Sequence, residues 1–265
     1  MTNKEILHYD IEGFKNITVA IVYFDTENGA KNKLLPFLGR SIIKLTTRSN
    51  IEHIAIVIKV PSELIGTQYE DEYNGKDVIN GEYILLETTG GCNVTCTDLL
   101  KRLQKPSLID IDKKGDSSWT GQVYIQKILP QYISKVRLSL ALNEALKLTN
   151  QKSWINSFPS KYVEFRAILS PFPFAKWVNK ILGYKKITPA VFCSVFAKYI
   201  TEFVTGKVDK AESFDMLEAL GTNPKDFSHE CYSKQLTKMP EILVQYVDGK
   251  PIMVNKDIIS TPIYK

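Results

Sequence analysis

Glu52-His-Ile-Ala-Ile-Val-Ile-Lys-Val60 contains five consecutive apolar residues, Ile54 to Ile58, four of them β-branched. A run apolar at both odd and even positions has no face to give to water, so it reads as a central strand covered on both sides. His53 stands at its start. Working outward, Asn16 to Phe24 (NITVAIVYF) is a second β-branched and aromatic run, ended by the turn cluster Asp25-Thr-Glu-Asn-Gly29. Tyr83 to Thr89 (YILLETT) resumes the sheet until Gly90-Gly91 stops it, and Val123 to Leu129, Ile242 to Val247 and Pro251 to Val254 are further extended candidates. Residues 61 to 81 are polar and carry Gly66, Gly75 and Gly81, which predicts a long surface excursion between two strands.

Helical spacing lies mostly elsewhere. Lys33 to Thr47 fits a short helix interrupted at Pro36 and Gly39, and Ser134 to Thr149 (SKVRLSLALNEALKLT) is amphipathic. After Thr188-Pro189, residues Val191, Phe192, Val195, Phe196, Tyr199, Ile200 and Phe203 share one helical face. Proline is tolerated only near a helix start, so this helix begins close to Cys193, and Gly206 offers its stop. Asn223-Pro224-Lys225-Asp226 then reads as a cap before another short helix. The pattern predicts an α+β fold with an antiparallel sheet packed against the Cys193 helix. It forms one domain over residues 1 to 265, with a helical insertion at about 130 to 185.

Composition narrows the function. Lys plus Arg exceed Asp plus Glu by 34 to 29, without a long basic run, which argues against nucleic acid as the partner. The first residues lack the apolar core of a secretion signal, and no run of about 18 apolar residues occurs, so a cytoplasmic protein is expected. In that compartment the four cysteines, Cys92, Cys96, Cys193 and Cys231, are expected as thiols rather than a disulfide frame. Cys92-x3-Cys96 and His229-x-Cys231 hold four potential zinc ligands, but the first pair is spaced more loosely than a zinc knuckle and nothing brings the pairs together. Neither a metal nor a cofactor is expected.

Chemistry concentrates on three residues. A cysteine attacks a carbonyl as the thiolate, so a nucleophilic cysteine needs a lowered pKa. A helix start and an imidazole can both supply that at Cys193. Singly, Cys193 reads as a buried structural thiol, His53 as a hydrogen-bonded core histidine and Glu87 as a strand-end acid. Adjacent strands lie about 4.8 Å apart, however, so Glu87 can meet His53 on one face, fix its tautomer and hold its ring.

These residues also carry a resemblance. Thr46-Thr-Arg-Ser-Asn-Ile-Glu-His53-Ile-Ala-Ile-Val-Ile resembles the histidine segment of the circularly permuted NlpC/P60 papain-like proteins. Ile84-Leu-Leu-Glu87-Thr-Thr is similar to their acidic strand, and Phe192-Cys193-Ser-Val-Phe-Ala to their nucleophile helix. The order histidine, acid, cysteine matches the permuted set, and Asn223-Pro-Lys-Asp226-Phe is similar to a segment that follows the nucleophile helix there. Two positions depart from the pattern: Val19-Ala20 replaces a usual Gly-Asp, and Val195 stands where an acidic residue is common.

The resemblance implies a circularly permuted papain-like fold and a thiol hydrolase (a cysteine peptidase or amidase) cutting peptide, isopeptide or N-acyl amide bonds. Cys193 would be the nucleophile, His53 the general base and Glu87 the orienting residue. Two rivals are carried with it: a lipid acyltransferase or lipase, touching a membrane peripherally through Phe172 to Tyr184, and a catalytically idle binding or virion protein. The family includes proteins of large DNA viruses, which would put a viral protein in the host cytoplasm or the virion.

Overall fold

A computed structural model of the chain describes residues 17–25, 51–71, 75–78, 82–88, 94–104, 121–149, 193–209, 213–214, 222–247 and 250–252. The expected helix over Lys33 to Thr47, the segment Phe172 to Tyr184, Pro189 and Cys92 lie outside these residues, as does most of the expected insertion.

The described chain is α+β. Its main sheet is antiparallel and seven-stranded. The first strands are β1 (Val19–Asp25) and β2 (Ile51–Lys59), and a separate two-stranded hairpin follows from β3 (Gln68–Asp71) and β4 (Gly75–Val78). The sheet resumes with β5 (Tyr83–Thr88) and β6 (Val94–Asp98). It is completed by β7 (Gly121–Lys127), β8 (Glu241–Val247) and β9 (Lys250–Ile252), in the order β6-β5-β2-β1-β7-β8-β9. The helices are α1 (Leu99–Gln104), α2 (Lys135–Thr149), α3 (Cys193–Val204) and α4 (Pro224–Ser233), with short 3-10 turns at Ser62–Leu64 and Pro130–Tyr132.

The central strands are apolar on both faces because both faces are covered. Val19, Ile21, Tyr23, Ile54, Ile56, Ile58, Ile84 and Leu86 point to one side, where they pack with the apolar residues of α2, α3 and α4. Ala20, Val22, Phe24, Ala55, Val57, Tyr83 and Leu85 point to the other, with Leu99 and Leu103 of α1 and Val244 and Tyr246 of β8. Ile54, Ile56 and Ile58 are wholly buried, so truncating any one to alanine should cost about 2–5 kcal/mol.

Three sequence expectations need correction or completion. The excursion expected after β2 contains the β3–β4 hairpin. Strand β6 and helix α1, neither of them expected, follow β5 directly. The described part of the expected insertion, α2, is built into the core: Leu138, Ala141, Leu142, Ala145 and Leu146 are buried in the cluster that α3 joins.

Helix α3 is buried along its whole length from Ser194 to Val204. Its charged residues are paired, Glu202 with Lys207 at 2.5 Å and Lys198 with Glu230 of α4 at 3.6 Å. Gly206 ends it with φ +82°, a conformation that side chains disfavour, and a Cβ there would lie 3.1 Å from the Arg137 guanidinium carbon. Arg137 in turn bridges to Asp209 at 2.6 Å, which ties α2 to the chain leaving α3. The cap at Asn223 is present: its side chain accepts from the Asp226 amide at 2.9 Å.

Candidate active site

Strand register positions the first two residues. β2 and β5 pair from Lys59↔Tyr83 to Ile56↔Leu86. One further step along both strands would set Ala55 against Glu87, which makes His53 the diagonal neighbour of Glu87 on one face. The two meet there, His53 Nε2 to Glu87 Oε2 at 2.6 Å, both side chains buried. From the other side β1 sets Phe24 opposite His53, with ring centroids 5.5 Å apart. The imidazole is thus fixed by a carboxylate and an aromatic ring.

Cys193 approaches from elsewhere. The body of α3 packs on the sheet face opposite the one that carries the His53–Glu87 pair. Its first residue, Cys193, is half-buried and hydrogen-bonds the His53 ring. The contact falls at the end of β2 that has no registered β5 partner, where the Ile54 backbone N–H points to the sulfur together with that of Ser194. With Nε2 engaged by Glu87, Nδ1 is the ring nitrogen left to face the thiol.

A fourth residue was not singled out in the sequence. Arg102 of α1 is 4% exposed, donates from Nε to Glu87 Oε1 at 2.6 Å and from Nη2 to Oε2 at 3.3 Å, and stacks over the Phe24 ring at 4.5 Å. It lies three positions after Leu99, and Leu99 and Leu103 are the buried stripe of α1. A cation on the apolar stripe of a short helix was the available signal.

The charges are mutually tuned. Burial alone would raise the Glu87 pKa, but the Arg102 charge and the His53 hydrogen bond hold it down at about 2. Burial would lower that of His53, and the hydrogen bonds to Cys193 and Glu87 outweigh it, raising it to about 9. Burial would raise the Cys193 thiol, and the hydrogen bond and charge of His53, with the Ile54 and Ser194 amides, lower it instead. Each shift favours the charged form, so thiolate, imidazolium and carboxylate are stabilised together, with a guanidinium behind them. Cys231, buried on α4 near Glu230, has no such partner set, and burial pushes it up to about 12.

Cys96 and Cys231 are buried thiols outside any disulfide, on β6 and α4, Cys92 lies outside the described residues, and no group of three or more potential metal ligands occurs among the described residues. None of the described helices is long and apolar enough to cross a membrane. No family model, curated protein or solved structure matches the chain.

Proposed function

We propose that this chain is a cysteine hydrolase of the circularly permuted papain-like (NlpC/P60) type, acting on amide bonds (peptide, isopeptide or N-acyl). The observation that carries the reading is the pair of hydrogen bonds at His53, one to the Cys193 thiol and one to the Glu87 carboxylate. A structural histidine needs partners, but it does not need a half-buried thiol of lowered pKa among them. The chain order histidine, acid, cysteine is that of the permuted family.

In this reading the Cys193 thiolate attacks the carbonyl carbon, the carbonyl π pair moves to oxygen, and the Cys193 backbone amide helps to hold the resulting oxyanion. Collapse expels the amine, which takes the proton from the His53 imidazolium. Water then attacks the thioester while neutral His53 takes its proton, and the second collapse releases the acid and restores the thiolate. Glu87 holds the ring in register and balances the imidazolium charge throughout.

Peptide, isopeptide and acyl-lipid substrates offered to the wild type and to Cys193→Ala test this directly. One substrate class turned over by the wild type and not by the variant is expected. No turnover of any class, with Cys193 alkylated no faster than a free thiol, would return the chain to a binding protein.

A further inference from the structure

We infer that Arg102 is a positioning residue whose charge lets the Cys193–His53 ion pair coexist with the Glu87 carboxylate in a buried site; this rests on the proposed function above. The geometry gives Glu87 two different neighbours at 2.6 Å, His53 on one oxygen and Arg102 on the other, with a second Arg102 contact at 3.3 Å. Arg102 and Glu87 are both almost wholly buried, and the guanidinium carbon lies over the Phe24 ring, which also touches His53. A carboxylate serving only as a histidine orienter would not need a second, bidentate partner.

Charge counting shows what the partner does. With Arg102 present, thiol plus neutral imidazole and thiolate plus imidazolium both leave Cys193, His53, Glu87 and Arg102 at zero net charge. Neither state therefore leaves an uncompensated charge in a region of low polarity. Without Arg102 the thiolate–imidazolium–carboxylate set carries −1, and the group returns to zero by keeping a proton on sulfur. The imidazolium is then paired with Glu87 instead of Cys193. Among the described residues, the charged and titratable groups facing Glu87 are His53 from β2 and Arg102 from α1. Those facing the sulfur are His53 and the Ile54 and Ser194 amides. Asp25, buried at the end of β1, is the same in every variant, so it does not alter the direction of the difference.

The test is the rate of Cys193 alkylation by iodoacetamide as a function of pH, with the ultraviolet absorbance of the thiolate as a second readout, on the full chain. Arg102→Met should slow alkylation near neutral pH about tenfold and move the thiolate transition to higher pH, the scale set by one nearby charge. Arg102→Lys keeps the charge and should stay close to the wild type. Glu87→Gln with Arg102→Met removes one charge of each sign and should return the profile toward the wild type. If Arg102→Met does not fold, Glu87→Gln compared with that double variant reads the same charge, and the single variant should be the faster.

An Arg102→Met profile equal to the wild type, or a double variant as slow as Arg102→Met, would overturn the inference. A wild-type Cys193 with ordinary thiol reactivity would instead remove the hydrolase reading beneath it, so the two failures are separate. Turnover adds a further distinction: loss of an ion-pair device lowers kcat, whereas a purely structural arginine would reduce the folded fraction and leave the pH profile of the rest unchanged.

Discussion

Tyr23 and Phe24 are neighbours on β1 and send their rings to opposite faces of the sheet, each into a buried polar network. The Tyr23 network is neutral. Its hydroxyl donates to Gln126 Oε1 at 2.5 Å, Ser228 Oγ donates to the same oxygen at 3.0 Å, and Gln126 Nε2 donates to Thr237 Oγ1 at 2.7 Å and to the Ser228 carbonyl at 3.1 Å. It fastens β7 to α4 and the chain beyond, where Gln126 Nε2 also reaches the Lys238 carbonyl at 3.3 Å. The network beside Phe24 is charged, and it ends on Cys193, a half-buried residue. A buried network of neutral groups specifies a fold, whereas a charged one whose last member is a half-buried cysteine holds reactivity in reserve.

The sharpest break in that comparison comes from removing the sulfur or its base. Cys193→Ala and His53→Ala should each lower turnover by at least about a thousandfold, with combined loss far below additive because the groups act as one unit. In the intact protein, iodoacetamide near neutral pH should mark Cys193 rapidly and leave Cys96 and Cys231 nearly untouched, read by peptide mapping. Equal labelling of the three would erase the contrast between a tuned thiol and buried ones.

Glu87→Gln is expected to act next most strongly, lowering turnover roughly 100-fold, the low end of what a positioned acid or base contributes. The sequence alone predicts that this variant keeps its fold. Arg102 changes that expectation: it would lose its buried counter-charge, a loss of about 3–5 kcal/mol when one partner of such a pair is removed. Chemical denaturation alongside kinetics separates the two effects, and adding Arg102→Met should recover stability without recovering full turnover.

In the neutral network the expectation is reversed. Gln126→Leu removes the common partner of the Tyr23 hydroxyl, Ser228 and Thr237 and should cost about 1–3 kcal/mol. The Cys193 alkylation rate of the folded fraction should not change. A slowed rate would mean that the two faces of the sheet are coupled through β1.

How much of this was legible in sequence follows from what periodicity can carry. The β2 strand, the α3 helix and its Gly206 stop, and the Asn223 cap announce themselves through local pattern, and the spacing of His53 and Glu87 on neighbouring strands could be argued from two apolar runs with a break between them. Arg102 could not be found the same way, because a six-residue helix gives no periodic window and β6 before it, Val-Thr-Cys-Thr-Asp, is short and half polar. The diagonal offset of His53 from Glu87, and the meeting of Cys193 with a ring on the opposite sheet face, depend on where the β2–β5 ladder stops. That is a long-range property of register, invisible to residue type.

The smallest expected effect is a difference in acid stability between the two networks. The folded Glu87 pKa is lowered to about 2 from an ordinary 4.5. Between those values the unfolded chain binds a proton at Glu87 that the folded chain does not, so stability rises with pH across the window. Read downward, the contribution is complete above pH 4.5 and is lost as pH falls through about 2. One group can contribute a slope of at most about 1.4 kcal/mol per pH unit. The Glu87→Gln with Arg102→Met variant removes the titrating group without leaving a bare cation, so its stability should fall less steeply than that of the wild type over the same interval. Gln126→Leu, which touches no ionisable side chain, should be less stable at every pH and keep the wild-type slope. Denaturant midpoints measured at several pH values for the three proteins read both quantities. Parallel curves for the wild type and the double variant would show that Glu87 is not held as a buried carboxylate, and the charged network would then be no different in kind from the neutral one.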